Sequence, residues 1–153
     1  MLRSVLPLAL VGLALPAPAP LAAGPADTIA AQFPLCSSAP RVTCVVDGDT
    51  IWLGGTKIRI ADIDTPEVSR PRCAREAKLG ALATQRMQAL LNRGAFSLSP
   101  AADGRDEDRF GRKLRVVTRD GESLGAMLVR DGLARAWGGK RGGKRRGWCG
   151  EAV

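Results

Sequence analysis

The 153-residue chain contains no histidine and no tyrosine, and tryptophan and phenylalanine occur only three times each. The absence of histidine excludes the Ser-His-Asp triad, the Cys-His nucleophile and zinc sites built on histidine ligands. If the chain is an enzyme, its acid–base groups must therefore be carboxylates, lysine, arginine or bound water.

The sequence also lacks an apolar run long enough to cross a bilayer. Residues 1–23 instead resemble a secretion signal, with one basic residue, an apolar run from Leu6 to Leu15, prolines and small residues before a cleavage point. We expect cleavage after Ala23, with Ala19 as the second choice and an uncleaved N-terminal anchor as the alternative. The predicted protein is exported, periplasmic or secreted, and has no membrane association after signal removal.

All four cysteines lie outside the predicted signal, and four cysteines allow three pairings. Oxidising compartments preserve disulfides, which favours two bridges over free thiols. A zinc site is disfavoured because the chain has no Cys-x-x-Cys spacing and no histidine. We expect bridges between Cys36 and Cys44 and between Cys73 and Cys149, the second of which would tie the C-terminus to the body of the protein.

Basic residues outnumber acidic ones, with 23 Lys and Arg against 15 Asp and Glu. The stretch from Lys140 to Arg146 concentrates this excess between glycines. Basic side chains on phosphates release condensed counterions, so the balance favours a nucleic-acid partner. The alternatives are a basic surface that serves solubility and a basic exported protein that binds anionic cell-envelope material.

Composition and periodicity divide the remaining chain into three parts. Residues 24–40 are rich in Pro, Ala and Ser and are predicted to be a linker or a loosely held segment. Residues 41–138 alternate short strands with two helices, at 74–92 and 123–130. Residues 139–153 form a basic tail that Cys149 ties back.

The order of strands and helices predicts the fold class. Strands or extended pieces are expected over 42–46, 51–53, 57–63, 95–98, 112–118 and 133–137. In one small domain this order predicts a mainly β fold with helices (α+β), in which a five-stranded OB-like barrel packs against two helices.

Three short charged strings carry the candidate chemistry. They are Asp-Gly-Asp-Thr at 47–50, Arg-Ile-Ala-Asp-Ile-Asp-Thr-Pro-Glu at 59–67, and Asp-Arg-Phe-Gly-Arg at 108–112. The carboxylates at 49, 64 and 67 can gather a hard cation, because oxygen donors suit Ca²⁺ or Mg²⁺. The arginines at 59 and 112 can hold a phosphate through the planar guanidinium fork. Together they indicate phosphodiester hydrolysis if they meet in space, and otherwise a set of solvated loop residues.

Strand geometry limits how these strings can meet. Arg59 and Asp64 are five residues apart, so on a regular strand they point to opposite faces. They can share a site only if the strand bends or bulges, which Pro66 and the polar Asp62 favour. We interpret Asp62 as an exposed strand carboxylate and Asp47 as a turn-forming side chain before a glycine.

In this order and spacing the strings resemble the staphylococcal-nuclease-like (thermonuclease) family, whose members are Ca²⁺-dependent phosphodiesterases on an OB barrel. The resemblance covers roughly residues 41–137. It implies Ca²⁺, with Mg²⁺ as an alternative, held by Asp49, Asp64 and the backbone carbonyl of Thr65. Monomeric action on DNA and RNA with little sequence or sugar specificity is implied as well.

The resemblance also implies roles for the other charged residues. Glu67 would act on the attacking water, and Arg59 and Arg112 would neutralise the transition state. Substrate contacts are predicted from three further side chains, Arg109, Phe110 and Trp137.

The chain departs from the family pattern around the substrate. Phe110 stands at one tyrosine position of the family and Trp137 near another, although both residue types are more often found in a core. The hairpin between Leu53 and Arg59 is shorter, and the basic segment with Cys149 replaces the third helix of the family. The rival prediction is a non-catalytic OB-fold module that binds nucleic acid.

Overall fold

The computed structural model describes residues 26–137 and 147–150. The predicted secretion signal and the basic stretch at 140–146 lie outside these ranges. Within them, neither helix has the length and hydrophobicity that a bilayer crossing requires.

Ten elements follow one another in the described part of the chain. They are β1 (Cys44–Asp47), β2 (Thr50–Leu53), β3 (Thr56–Ile60), β4 (Ile63–Asp64), α1 (Ala74–Leu91), β5 (Ser97–Pro100), β6 (Lys113–Arg119), β7 (Glu122–Ser123), α2 (Leu124–Arg130) and β8 (Arg135–Ala136). Their order confirms the predicted mixture of strands with two helices.

The strands form two sheets. The larger has the order β1-β2-β3-β6-β5, with β7 added to β6, and the smaller pairs β4 with β8. Only the β3–β6 pair is parallel among these pairs. Over residues 26–137 and 147–150 the large sheet is an open path and does not close into the predicted five-stranded ring.

The predicted strand 57–63 is interrupted. This strand ends at Ile60, the chain turns at Ala61 and Asp62, and the next two residues form β4. Because β4 then pairs with β8, it leaves the larger sheet. A strand predicted as continuous is therefore shared between two sheets.

Helical spacing predicts an inward face on α1 made of Leu79, Leu82, Ala83, Met87, Leu90 and Leu91, and the last four of these are buried. Its buried residues are Glu76, Gly80, Ala83, Thr84, Met87, Leu90 and Leu91. Leu82, which the apolar spacing placed inward, is 41% exposed. Gly80 and Ala83 on this buried face are small, so the backbone at Pro66 and at Gly48 approaches the helix closely.

The segment at 26–40, predicted as a linker, contributes to the core. Phe33 is fully buried, and its ring centroid lies 5.8 Å from that of Phe96. The side chain of Asn92 accepts a hydrogen bond from the Phe33 N–H at 2.8 Å and donates one to the Phe33 carbonyl at 3.1 Å. Ile29 and Phe96 also form an isolated antiparallel β-bridge through their backbones. A buried aromatic side chain, backbone pairing and hydrogen bonds to Asn92 thus fix a stretch whose composition resembles a linker.

Both expected disulfides are present, Cys36–Cys44 and Cys73–Cys149. The second joins the residue that caps the N-terminus of α1 to the C-terminal piece 147–150. In that piece Trp148 is buried, and the Arg135 guanidinium lies 3.9 Å from the centre of its ring. The described C-terminal residues therefore pack against the start of α1.

The two bridges should differ in what they contribute to stability, because they span 76 and 8 residues. From loop closure alone, the Cys73→Ala/Cys149→Ala variant should lose about 4.5 kcal/mol of unfolding free energy and Cys36→Ala/Cys44→Ala about 2.5 kcal/mol. Urea unfolding followed by circular dichroism measures both losses. Equal losses would contradict an origin in loop length.

Candidate active site

The break after β3 brings Arg59 and Asp64 together. The Nη2 atom of Arg59 lies 3.1 Å from Oδ2 of Asp49 and 3.6 Å from Oδ1 of Asp64. Its Nη1 atom donates to the carbonyls of Ile63, at 2.9 Å, and of Ile60. One guanidinium thus joins the first charged string to the second.

Asp49 is held by several donors besides this arginine. Its Oδ2 atom accepts hydrogen bonds from the backbone N–H and the hydroxyl of Thr65, both at 3.0 Å, and its Oδ1 atom accepts one from the Thr50 hydroxyl at 3.1 Å. Asp49 is only 8% exposed and Thr65 only 5%. Thr65, predicted as a ligand through its carbonyl, therefore also fixes the orientation of the carboxylate.

Asp47 adopts the predicted turn-forming role. Its Oδ1 atom accepts a hydrogen bond from the Asp49 N–H at 3.1 Å, two residues along the chain. Burial, together with the neighbouring Asp49 carboxylate, raises the pKa of Asp47 to about 7. Near neutral pH this carboxyl is partly protonated, which reduces repulsion within the turn.

Gly48 lets the Asp-Gly-Asp turn rest on α1. A Cβ atom at this position would lie 2.8 Å from Cβ of Ala83 and 2.9 Å from Cγ2 of Thr65. Such distances are shorter than real Cβ contacts, so any side chain here would displace the turn. The position of Asp49 therefore depends on a residue without a side chain.

Arg112 is oriented by Asp108, a residue for which we predicted no role. The Nε and Nη2 atoms of Arg112 both lie 2.7 Å from Oδ2 of Asp108. The backbone N–H groups of Phe110 and Arg112 donate to the other oxygen, at 2.9 and 3.1 Å. Burial opposes ionisation of Asp108, but these hydrogen bonds outweigh it and lower its pKa below the usual value.

A cleft of about 390 Å³ gathers the side chains of all three strings. The predicted residues that line it are Asp49, Arg59, Asp64, Glu67, Arg112 and Trp137. Asp103 and Arg105, from the loop between β5 and β6, form part of its wall and were not predicted. The structure thus brings the predicted charged side chains to one place.

The predicted substrate contacts take two different positions. Trp137 lines the cleft, whereas Phe110 is 67% exposed on the loop before β6. The guanidinium groups of Arg109 and Arg112 lie 4.6 and 5.6 Å from the centre of the Phe110 ring. Phe110 therefore does not belong to the core.

The interpretation of Asp62 as an exposed strand carboxylate is wrong. The residue is half-buried, because the strand has already ended and the turn directs its side chain toward α2. Its Oδ2 atom accepts a hydrogen bond from the Ser123 hydroxyl at 2.5 Å, and Ser123 caps α2 by accepting the N–H of Ala126 at 3.0 Å. Asp62 thus connects the wall of the cleft to the helix cap.

The carboxylates of Asp49 and Asp64 converge on one cationic nitrogen of Arg59. The cation that the two acids share here is the Arg59 guanidinium, and their oxygen donors are of the kind that also suits Ca²⁺ or Mg²⁺. No group of three or more acidic side chains in the described ranges is arranged to hold a metal ion. The predicted ligand set has only two carboxylates, those of Asp49 and Asp64, and its third oxygen donor is the backbone carbonyl of Thr65.

Comparison with known proteins identifies the family. The model of the staphylococcal nuclease homologues matches residues 57–145, which is more than half of the chain. The chain belongs to this family. The matched range contains Arg59, Asp64, Glu67 and Arg112, four of the residues that line the cleft.

Two proteins of Bacillus subtilis (strain 168) are similar to this member of the family. Endonuclease YncB is 36% identical over 94 residues, which are 59% of this chain and 44% of that protein. The SPbeta prophage-derived endonuclease YokF is 37% identical over 94 residues, which are 59% of this chain and 31% of that protein. The chain spans less than half the length of either relative.

The close contact at Gly48 can be tested by adding one methyl group. Gly48→Ala should lower the unfolding free energy by about 1–3 kcal/mol, because the turn must move away from α1. Gly94→Ala is the matched control, since a Cβ at Gly94 meets no atom within 4 Å and should be neutral or slightly stabilising. Urea unfolding compares the two, and equal effects would contradict the packing argument.

Proposed function

We propose that the protein is a metal-dependent phosphodiesterase that hydrolyses DNA and RNA with little sequence or sugar specificity. The observation that supports it most is the convergence of Arg59, Arg112 and Glu67 with two carboxylates on one cleft. Membership of the staphylococcal nuclease homologues supports it too, and both relatives carry endonuclease names.

In this proposal two arginines bind and stabilise the phosphate that reacts. Arg59 is held by carboxylates and carbonyls, and Arg112 is held by Asp108. Because Asp108 orients the Arg112 guanidinium before substrate arrives, this group stabilises the developing charge without reorganising. Planar guanidinium groups also match phosphate oxygens in pairs.

Glu67 supplies the carboxylate for the attacking water. It is exposed at the edge of the cleft, where water reaches it directly. A carboxylate within hydrogen-bond reach of that water accepts its proton or orients it toward phosphorus. The chain has no histidine to take this role.

The metal in this proposal is Ca²⁺, with Mg²⁺ as the alternative. Asp49, Asp64 and the backbone carbonyl of Thr65 would hold it, and the convergence of both carboxylates on Arg59 Nη2 fits a shared cation. When bound, such an ion supplies Lewis-acid polarisation of a phosphoryl oxygen. Thr65 and Thr50 keep Asp49 oriented toward the cleft through their hydrogen bonds.

Low specificity follows from what lines the cleft. Its arginines address phosphates, which all nucleic acids share. Trp137 in the cleft and exposed Phe110 are proposed to stack on bases, with Arg109 beside Phe110 as a further cation. Stacking is worth about 1–3 kcal/mol per base and tolerates any sequence. Single-stranded or frayed ends therefore fit best.

We also propose that the protein acts as an exported monomer, periplasmic or secreted. Both described disulfides support export, because oxidising compartments form and preserve such bridges. The N-terminal signal pattern at residues 1–23 supports the same location.

A digestion assay with plasmid and single-stranded substrates tests the activity. Glu67→Gln and Arg112→Ala should each lower the rate by about 10²- to 10⁴-fold, because each removes a group that acts in the transition state. Circular dichroism should show an unchanged fold.

The matched controls for this assay are Glu122→Gln and Arg130→Ala. These two residues form an ion pair at 2.5 Å and do not line the cleft. Both controls should digest like the wild type. Salt-sensitive binding without cleavage by the wild type would refute the activity and support the non-catalytic binding module.

Metal binding can be measured by protein stability, without an activity assay. Calcium at about 100 times its dissociation constant should add about 2.7 kcal/mol to the unfolding free energy, because it binds only the folded chain. Asp64→Asn should abolish this gain. Asp106→Asn is the control, since Asp106 pairs with Lys113 and Arg115 and does not line the cleft. An equal calcium response in Asp64→Asn and the wild type would contradict the assigned ligand.

A further inference from the structure

The segment that carries Glu67 is exposed along its whole length. Residues 67–72 connect β4 to α1, and all six are exposed. A residue that acts on water needs a fixed position, since small displacements of reacting groups lower rates strongly. Something outside the segment must therefore hold it.

A buried carboxylate on α1 contacts the end of this segment. Glu76 is only 1% exposed, and its Oε2 atom accepts the backbone N–H of Arg72 at 2.6 Å. The Arg72 side chain lies against the same carboxylate, with Nε at 3.4 Å and Nη2 at 3.5 Å. These contacts tie the last residue of the segment to the first turn of the helix.

The pKa of Glu76 is lowered, chiefly by the Arg72 N–H and in smallest part by the backbone N–H of Glu67. Glu76 therefore remains ionised although it is buried, and its hydrogen bond from Arg72 is charge-assisted.

Gly80, one helical turn after Glu76, supports the start of the segment by close contact. A Cβ atom at Gly80 would lie 2.9 Å from the carbonyl oxygen of Pro66 and 3.1 Å from that of Glu67. The backbone at Glu67 thus rests directly on the helix. Residues i and i+4 share a helix face, so both contacts belong to one surface of α1.

We propose that Glu76 is a positioning residue that holds Glu67 at the cleft, with Gly80 as the second point of support. This inference rests on the proposed function and adds to it a residue that touches neither substrate nor metal. Glu76 acts through the backbone of the segment, and Gly80 sets the distance between the segment and α1.

A purely structural role for Glu76 makes a different prediction. Glu76 stands three residues after the N-cap Cys73, where a glutamate often satisfies the backbone N–H of the cap itself. Here its oxygen accepts instead from Arg72, the residue before the cap. If this contact served only the helix, its loss would lower stability and leave the turnover number of the folded protein unchanged.

Steady-state digestion with Glu76→Gln and Gly80→Ala separates these roles. Each variant should lower kcat by about tenfold to hundredfold while KM for the nucleic acid stays within about twofold, because the displaced group acts after binding. Asp131→Asn is the control, since it removes the 2.7 Å ion pair of Asp131 with Arg86 at another part of α1. This control should keep the wild-type kcat.

Backbone amide exchange, measured by nuclear magnetic resonance, reads the positioning directly. In Glu76→Gln the amides of Arg72 and Glu67 should exchange faster, while those in the strands keep their protection. Unchanged exchange at both amides, or faster exchange with full kcat, would overturn the inference alone. A wild type that cleaves no nucleic acid would overturn the proposed function, and this inference with it.

Discussion

The guanidinium group of Arg59 is the contact on which the site depends. It lies against the carboxylates of Asp49 and Asp64 and donates to the carbonyl of Ile63 beyond the strand break. A planar group with several fixed donors can serve all of these acceptors at once, which a lysine ammonium at the end of a flexible chain cannot. The same group thus links two strands, and in the proposed enzyme it also binds the phosphate.

Helix α1 is the surface on which the charged strings are assembled. The Asp-Gly-Asp turn meets it at Ala83, and the backbone beside Glu67 meets it at Gly80. Glu76 extends the same face toward Arg72. Small residues let backbone approach backbone, so the distances between functional groups are set by direct contact and not by flexible side chains. A fixed arrangement of this kind favours preorganised chemistry.

The sequence predicted the fold class and the charged side chains that line the cleft, but not every detail of the fold. Asp49, Asp64, Glu67, Arg59 and Arg112 could be predicted because each stands in a short charged string. Asp108 was missed although it lies four residues before Arg112, and Glu76 was missed because it stands outside these strings. The break of the strand at 57–63, the exposure of Leu82 and the open sheet depend on pairing between distant segments, which local periodicity does not contain.

The cleft is acidic although the whole chain is basic, and this difference affects how a bound metal ion would act. The chain carries a formal charge of +8, yet the cleft is lined by seven acidic residues and three arginines. The acids are Asp47, Asp49, Asp62, Asp64, Glu67, Asp103 and Asp108, and the arginines are Arg59, Arg105 and Arg112. A phosphodiester brought into such a cleft meets repulsion at short range, although the basic surface attracts it from a distance. A divalent cation at Asp49 and Asp64 offsets that repulsion, so in the proposed enzyme its removal weakens substrate binding as well as the chemical step.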